Sequence, residues 1–150
     1  MRSQAGFTLI EVVCVLAIVA MLAAIVLPAL PRATSRARLQ SYAVETAAML
    51  RADRNAAIRG HTEIATRVDP TTRSIRSGAT GRVIRLPDDV AFDATLAARC
   101  NQRPDGATIR FFASGMSCGG VIALTRPGAG YQVRVNWLTG GVEIVSLDRL

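Results

Sequence analysis

The chain has 150 residues, half of them hydrophobic and only 5% aromatic, with a formal charge of +7 from 18 basic and 11 acidic residues. Setting aside the apolar N-terminus leaves roughly 120 residues, enough for one small domain. Every basic residue is arginine, and the arginines are scattered with acids among them, which points to a solvated surface and away from a dedicated basic patch. Three cysteines and one histidine exclude a recognisable metal set, and no cofactor motif is present.

In chain order, Met1-Arg2-Ser3-Gln4-Ala5-Gly6 is short and polar, with one positive charge and a terminal glycine. Residues 7–30 are almost wholly apolar, and Glu11 is their only strongly polar member. As a helix this run would reach roughly 36 Å, longer than a hydrocarbon core of about 30 Å. An acid inside such a helix costs on the order of 3 kcal/mol and needs a partner. A free amine made by cutting just before Phe7 would supply one. A secretory signal peptide would place a small-residue cleavage site after the run, and Leu27-Pro28-Ala29-Leu30-Pro31-Arg32 is a poor version of it. Cys14 reads as an apolar filler.

Beyond Pro28 and Pro31, residues 32–59 keep a helical period. Leu39, Tyr42, Ala43, Thr46, Ala47, Leu50, Ala57 and Ile58 form one stripe, while Arg36, Arg38, Glu45, Arg51, Asp53 and Arg54 lie mostly off it. The prolines predict a kink or short interruption in one long helix, and Gly60 its C-terminal cap. His61 then reads as a surface residue. The period changes to two over residues 63–68, a turn follows at 69–72, and residues 82–86 and 90–92 are short strand segments. Residues 96–106, with Cys100 and Pro104, read as a loop. Residues 108–113, 121–125, 131–137 and 142–147 are strands separated by glycine-containing turns. Tyr131, Val133, Val135 and Trp137 share a face by alternation, which predicts that Trp137 packs in the core. Cys100 and Cys118 would fall in one exported domain, where a disulfide is permitted, but spacing alone leaves the bond open.

The sequence Gly6-Phe7-Thr8-Leu9-Ile10-Glu11 resembles the processing motif of type IV prepilins and type II secretion pseudopilins. Two further stretches, Phe111-Phe112-Ala113-Ser114-Gly115-Met116-Ser117-Cys118-Gly119-Gly120 and Val135-Asn136-Trp137-Leu138-Thr139-Gly140, resemble the C-terminal signature of H-type minor pseudopilins, the GspH/FimT family. The resemblance implies an α+β, pilin-like fold: a long N-terminal helix, membrane-spanning in its first half, packed against an antiparallel, sandwich-like head. It implies a leader over residues 1–6, a transmembrane and assembly segment over 7–30, an amphipathic continuation over 31–60 and a periplasmic β-rich head over 61–150. It also implies cleavage between Gly6 and Phe7 with N-methylation of Phe7, assembly through Glu11, and a helix kink at Pro28. The implied partners are the major and other minor pseudopilins, the prepilin peptidase and the inner membrane.

Two other patterns compete with this reading. Gly115-Met116-Ser117-Cys118-Gly119 satisfies the G-x-S-x-G nucleophile pattern, but residues 120–124 are β-like where that chemistry needs a helix, and His61 is the only histidine. Catalytic residues are therefore not expected, and the glycines read as turn residues. Tyr131 and Trp137 as a stacking platform, or Arg126, Arg134 and Arg149 as a DNA-binding strip, would suit a FimT-like minor pilin of type IV pili.

Overall fold

In the computed structural model the described residues are 8–26 and 33–147, and they form two compact units that divide between Ala33 and Thr34. The first unit contains α1 (Leu9–Val26). Its opening turn is tied by Thr8, whose carbonyl and hydroxyl oxygens accept from the Glu11 N–H at 3.1 and 3.4 Å. Leu9, Ile10, Val13, Leu16, Ile18 and Met21 are all more than half exposed. A helix apolar on every side must find its packing partners outside itself.

The second unit opens on a second helix, α2 (Arg36–Gly60). Residues 33–35 are not helical, so the helical period read from residue 32 starts four residues late. The reason is local. Ser35 is extended, with φ −70° and ψ 160°, and its hydroxyl caps the Arg38 N–H. Beside it, the buried Thr34 donates its N–H and hydroxyl to the Asp89 carboxylate at 2.5 and 2.8 Å. These two bonds hold the Asp89 carboxyl below its ordinary range. The other end also differs from expectation: Gly60 is still helical, and His61 takes the left-handed conformation at φ 46°. Thr62 then donates to the Ala57 carbonyl at 3.2 Å, satisfying one of the helix's last acceptors.

After α2 come β1 (Ile64–Asp69), β2 (Ser74–Arg76), β3 (Val83–Arg85), β4 (Ala91–Leu96), β5 (Arg99–Cys100), β6 (Arg103–Pro104), β7 (Thr108–Phe111), β8 (Gly120–Arg126), β9 (Ala129–Val135) and β10 (Val142–Ser146). They build two four-stranded antiparallel sheets, ordered β3-β2-β1-β7 and β10-β9-β8-β4, while β5 and β6 pair as a small hairpin within the expected loop. The last four expected strands do not share a sheet. β7 returns to β1, with Ile64 opposite Phe111, whereas β8, β9 and β10 pair with one another.

α2 packs against strands of both sheets. Leu39, Leu50, Ile75, Ile109, Phe111, Ile122, Leu124 and Val133 are fully buried and form the core. Asp53, expected off the apolar stripe, is also fully buried. It lies three residues beyond Leu50 and four before Ala57, which is the spacing of the buried face.

Candidate functional site

The residues singled out from the N-terminal motif divide into those the structure describes and those it does not. Gly6, Phe7 and Pro28 lie outside the described residues, as does Arg149. Glu11 lies in the first turn of α1, sharing a helix face with Val15 four residues on. Around it Val12, Val15 and Leu16 are each about half exposed or more. The helix therefore presents one carboxylate on an otherwise apolar cylinder, and Cys14 is exposed with a free thiol. Among the described residues no helix is long and apolar enough to cross a membrane; the 18 residues of α1 reach about 27 Å.

At the other end of the chain, the two stretches that carry the family signature meet in one corner of the head. The loop after β7 closes on itself: Gly115 donates to Phe112 O at 2.8 Å, and Phe112 donates to Met116 O at 2.9 Å. It joins the β9–β10 turn where Ser117 N–H donates to Trp137 O at 3.0 Å. Arg54 of α2 clamps both pieces, its Nε donating to Gly115 O at 3.0 Å and its Nη2 to Thr139 O at 2.9 Å. Gly140 sits beneath this clamp at φ 62°, and a Cβ there would collide with the Gly115 carbonyl oxygen and the Arg54 side chain. A glycine is required on both counts.

Trp137 does not pack in the core. β9 ends at Val135, and Asn136 begins a turn in which its side-chain oxygen accepts from the Leu138 and Thr139 N–H groups at 2.9 and 3.0 Å. The alternation that buries Tyr131, Val133 and Val135 stops there, leaving Trp137 63% exposed beside exposed Leu138. Tyr131 and Trp137 accordingly share no stacking platform. Of the expected arginine strip, Arg126 and Arg134 are not brought together, and Arg149 lies outside the described residues. Arg126 lies at the end of β8 opposite Ala129, near Asp89, while Arg134 lies opposite Val121 at the other end of the β8–β9 pair and donates to Gln132.

Cys100 and Cys118 are joined, with Cα atoms 5.7 Å apart, so the β5–β6 hairpin is stapled to the signature loop. Behind the staple, Asp105 accepts from Thr108 at 2.6 Å and from Arg110 at 2.5 Å, while Arg110 also pairs with Glu63. Burial raises the Asp105 carboxyl, but bonds from Thr108, Arg110 and the N–H groups of Gly106 and Ala107 outweigh it and hold it at about 2. Ser117 is buried, its oxygen accepts from Gly119 N–H at 3.0 Å, and the chain continues into β8. The serine is thus a turn residue in a strand–turn–strand setting.

Asp53 and Arg54 are the residues that sequence reasoning missed. The only advance signal was the 46, 50, 53, 57 spacing, which places an acid on a buried stripe.

Comparison with known proteins agrees at both ends. The family described as the prokaryotic N-terminal methylation motif matches residues 1–27. In fold, the chain is similar to the minor pseudopilin EpsH from the type 2 secretion system of Vibrio cholerae, with TM-score 0.56 and 14% identity over 71% of this chain and 95% of that one. It is equally similar to the type IV minor pilin FimU of Pseudomonas aeruginosa, with TM-score 0.56 and 19% identity over 75% and 91% of the two chains. A curated relative from Xanthomonas campestris pv. campestris, type II secretion system protein H, is 34% identical over 142 residues, covering 95% of this chain and 83% of the relative. The chain belongs to the type II secretion system protein H family.

Proposed function

We propose that the protein is an H-type minor pseudopilin, a structural subunit of the type II secretion pseudopilus that supports protein export across the outer membrane. The observation that carries this reading is α1, apolar on all sides with Glu11 alone in its first turn. In this reading residues 1–6 are a leader removed after Gly6, and Phe7 is the methylated N-terminus. Before assembly the chain is a single-pass inner-membrane protein with its head in the periplasm. In the filament the apolar face of α1 packs against the helices of the major and other minor pseudopilins. There the Glu11 carboxylate neutralises the Phe7 amine of a neighbouring subunit, which removes two charges that would each be costly in an apolar interior. The subunit has no catalysis of its own and needs no cofactor.

Crosslinking in membranes tests this. Glu11→Ala is expected to leave the chain membrane-bound and processed while crosslinks to other pseudopilins disappear. Undiminished crosslinking of the variant would overturn the reading.

The likeness in fold to the type IV minor pilin FimU keeps a second reading in view, a minor pilin of type IV pili; in its FimT-like form such a subunit would contact DNA. Salt-dependent DNA binding by the full chain would favour it. The separation of Arg126 from Arg134 favours the first reading.

A further inference from the structure

The sequence scatters its arginines, yet the sheet β3-β2-β1-β7 gathers three of them on its outer face. Thr66, Val68, Ile75, Ile84, Ile109 and Phe111 are buried on the inner face. Alternation therefore sends Arg67, Arg76 and Arg85 outward, and all three are exposed. Arg67 of β1 stands directly opposite Arg76 of β2 in the ladder. Arg85 of β3 is the diagonal neighbour of Arg76, two residues beyond its direct partner Val83. At about 4.8 Å per strand the three cover roughly 10 Å.

Like charges directly opposite on a sheet are destabilising, and none of the salt bridges among the described residues falls on this pair. Other arginines nearby are neutralised: Arg110 by Asp105 and Glu63, Arg73 by Asp88, and Arg82 by Glu45. The acids on the same face are committed elsewhere: Asp69 accepts from Thr71 and Thr72 in its own turn, and Asp105 and Glu63 pair with Arg110. Among the described residues, Arg67, Arg76 and Arg85 have no anionic partner.

We propose that this face docks an acidic protein surface, the carboxylate-bearing side of a neighbouring subunit's head. The proposal rests on the filament reading above. Guanidinium forks bind carboxylates in bidentate fashion, and three of them set side by side match a short row of Asp or Glu side chains. A nucleic acid fits less well. The face has no aromatic residue for stacking on bases, and three arginines neutralise too few phosphates for tight binding.

The test uses the full chain in detergent, titrated with poly-L-glutamate, with a mixed-sequence DNA duplex and with phosphatidylglycerol vesicles. Poly-L-glutamate is expected to bind in a salt-dependent manner. Arg67→Gln/Arg76→Gln/Arg85→Gln should weaken that binding roughly tenfold, while Arg99→Gln/Arg103→Gln on the β5–β6 hairpin should leave it within about twofold. Arg76→Glu should weaken it as well and also raise the melting temperature, because the variant relieves the opposed pair. Unchanged poly-L-glutamate binding in the triple variant would overturn the proposal, as would strip-dependent binding that favours DNA or vesicles. Co-fractionation in cells separates this idea from the function it rests on. If the wild-type chain fails to co-fractionate with other pseudopilins, the filament reading falls. If wild type and triple variant co-fractionate equally, only the docking proposal falls.

Discussion

The carboxylate of Asp53 on α2 accepts a 2.6 Å hydrogen bond from the hydroxyl of Thr66 on β1, and both side chains are fully buried. The same carboxylate accepts from Ser77 Oγ at 2.5 Å and from the N–H groups of Gly78 and Ala79 at 3.0 and 3.3 Å. One helix residue thereby fixes β1 and the β2–β3 turn. Asp53→Ala strands several buried donors, and the expected loss is about 3 kcal/mol. Urea denaturation of the full chain in detergent, followed by near-ultraviolet circular dichroism, should show it, with Asp53→Asn intermediate.

Thr46 offers the opposite case. It is fully buried on the same helix, and its hydroxyl has no hydrogen-bond partner among the described residues. Thr46→Val keeps the shape and removes the unpaired oxygen, so stability should rise by about 1 kcal/mol. A lower midpoint in the same denaturation assay would contradict this.

Arg54 holds the signature corner by two bonds to carbonyl oxygens. Arg54→Ala should cost about 2 kcal/mol and speed hydrogen exchange at Ser117 and Gly140 while leaving β1–β3 protected. Gly140→Ala should be at least as damaging to the same amides, because it introduces both a collision and a strained φ.

The disulfide predicts a thiol count. Without reductant only Cys14 should label, and all three cysteines should label after denaturation and reduction. Cys100→Ser/Cys118→Ser should lower stability by about 3 kcal/mol. That loss should be accompanied by faster exchange in the β5–β6 hairpin.

Asp105 carries the acid response. Its carboxyl is held at about 2 against an ordinary 3.8, so the folded state favours the ionised form. That contribution is fully present above the ordinary value and is lost as pH falls from about 4 toward about 2. Melting temperatures measured across this window should drop for the wild type and fall less steeply for Asp105→Asn. Asp69, also held at about 2, acts in the same direction from an exposed turn.

The leader prediction concerns processing alone. A bulky residue at Gly6 should leave residues 1–6 attached, visible by intact mass, while Gly6→Ala should be milder. Normal cleavage of a Gly6→Trp variant would contradict the proposed processing site.

Periodicity was enough to locate both helical stretches, because an apolar run and a 3.6-residue stripe are local patterns, but it joined them into one long helix where residues 33–35 are not helical. It also found β1, β8, β9 and β10, whose alternating residues face one core. It failed where local pattern and global pairing part company. Trp137 obeys the alternation of β9 but falls past the strand's last ladder pair, so Asn136 turns it outward. β7 looks like its successors in sequence yet pairs with β1, because strand partners are chosen by register across the core.

The N-terminal motif, with Gly6, Phe7, Glu11 and the apolar run, pointed to the kind of molecule unaided, since the pattern is carried by residues adjacent in the chain. The C-terminal glycine and NWLTG stretches narrowed it to a type. Only the tertiary structure brought those two stretches under Arg54, buried Asp53 among hydroxyls, joined Cys100 to Cys118 and set Arg67 against Arg76. Each of these is a contact between residues far apart in sequence, created when helix and sheets close around a common core.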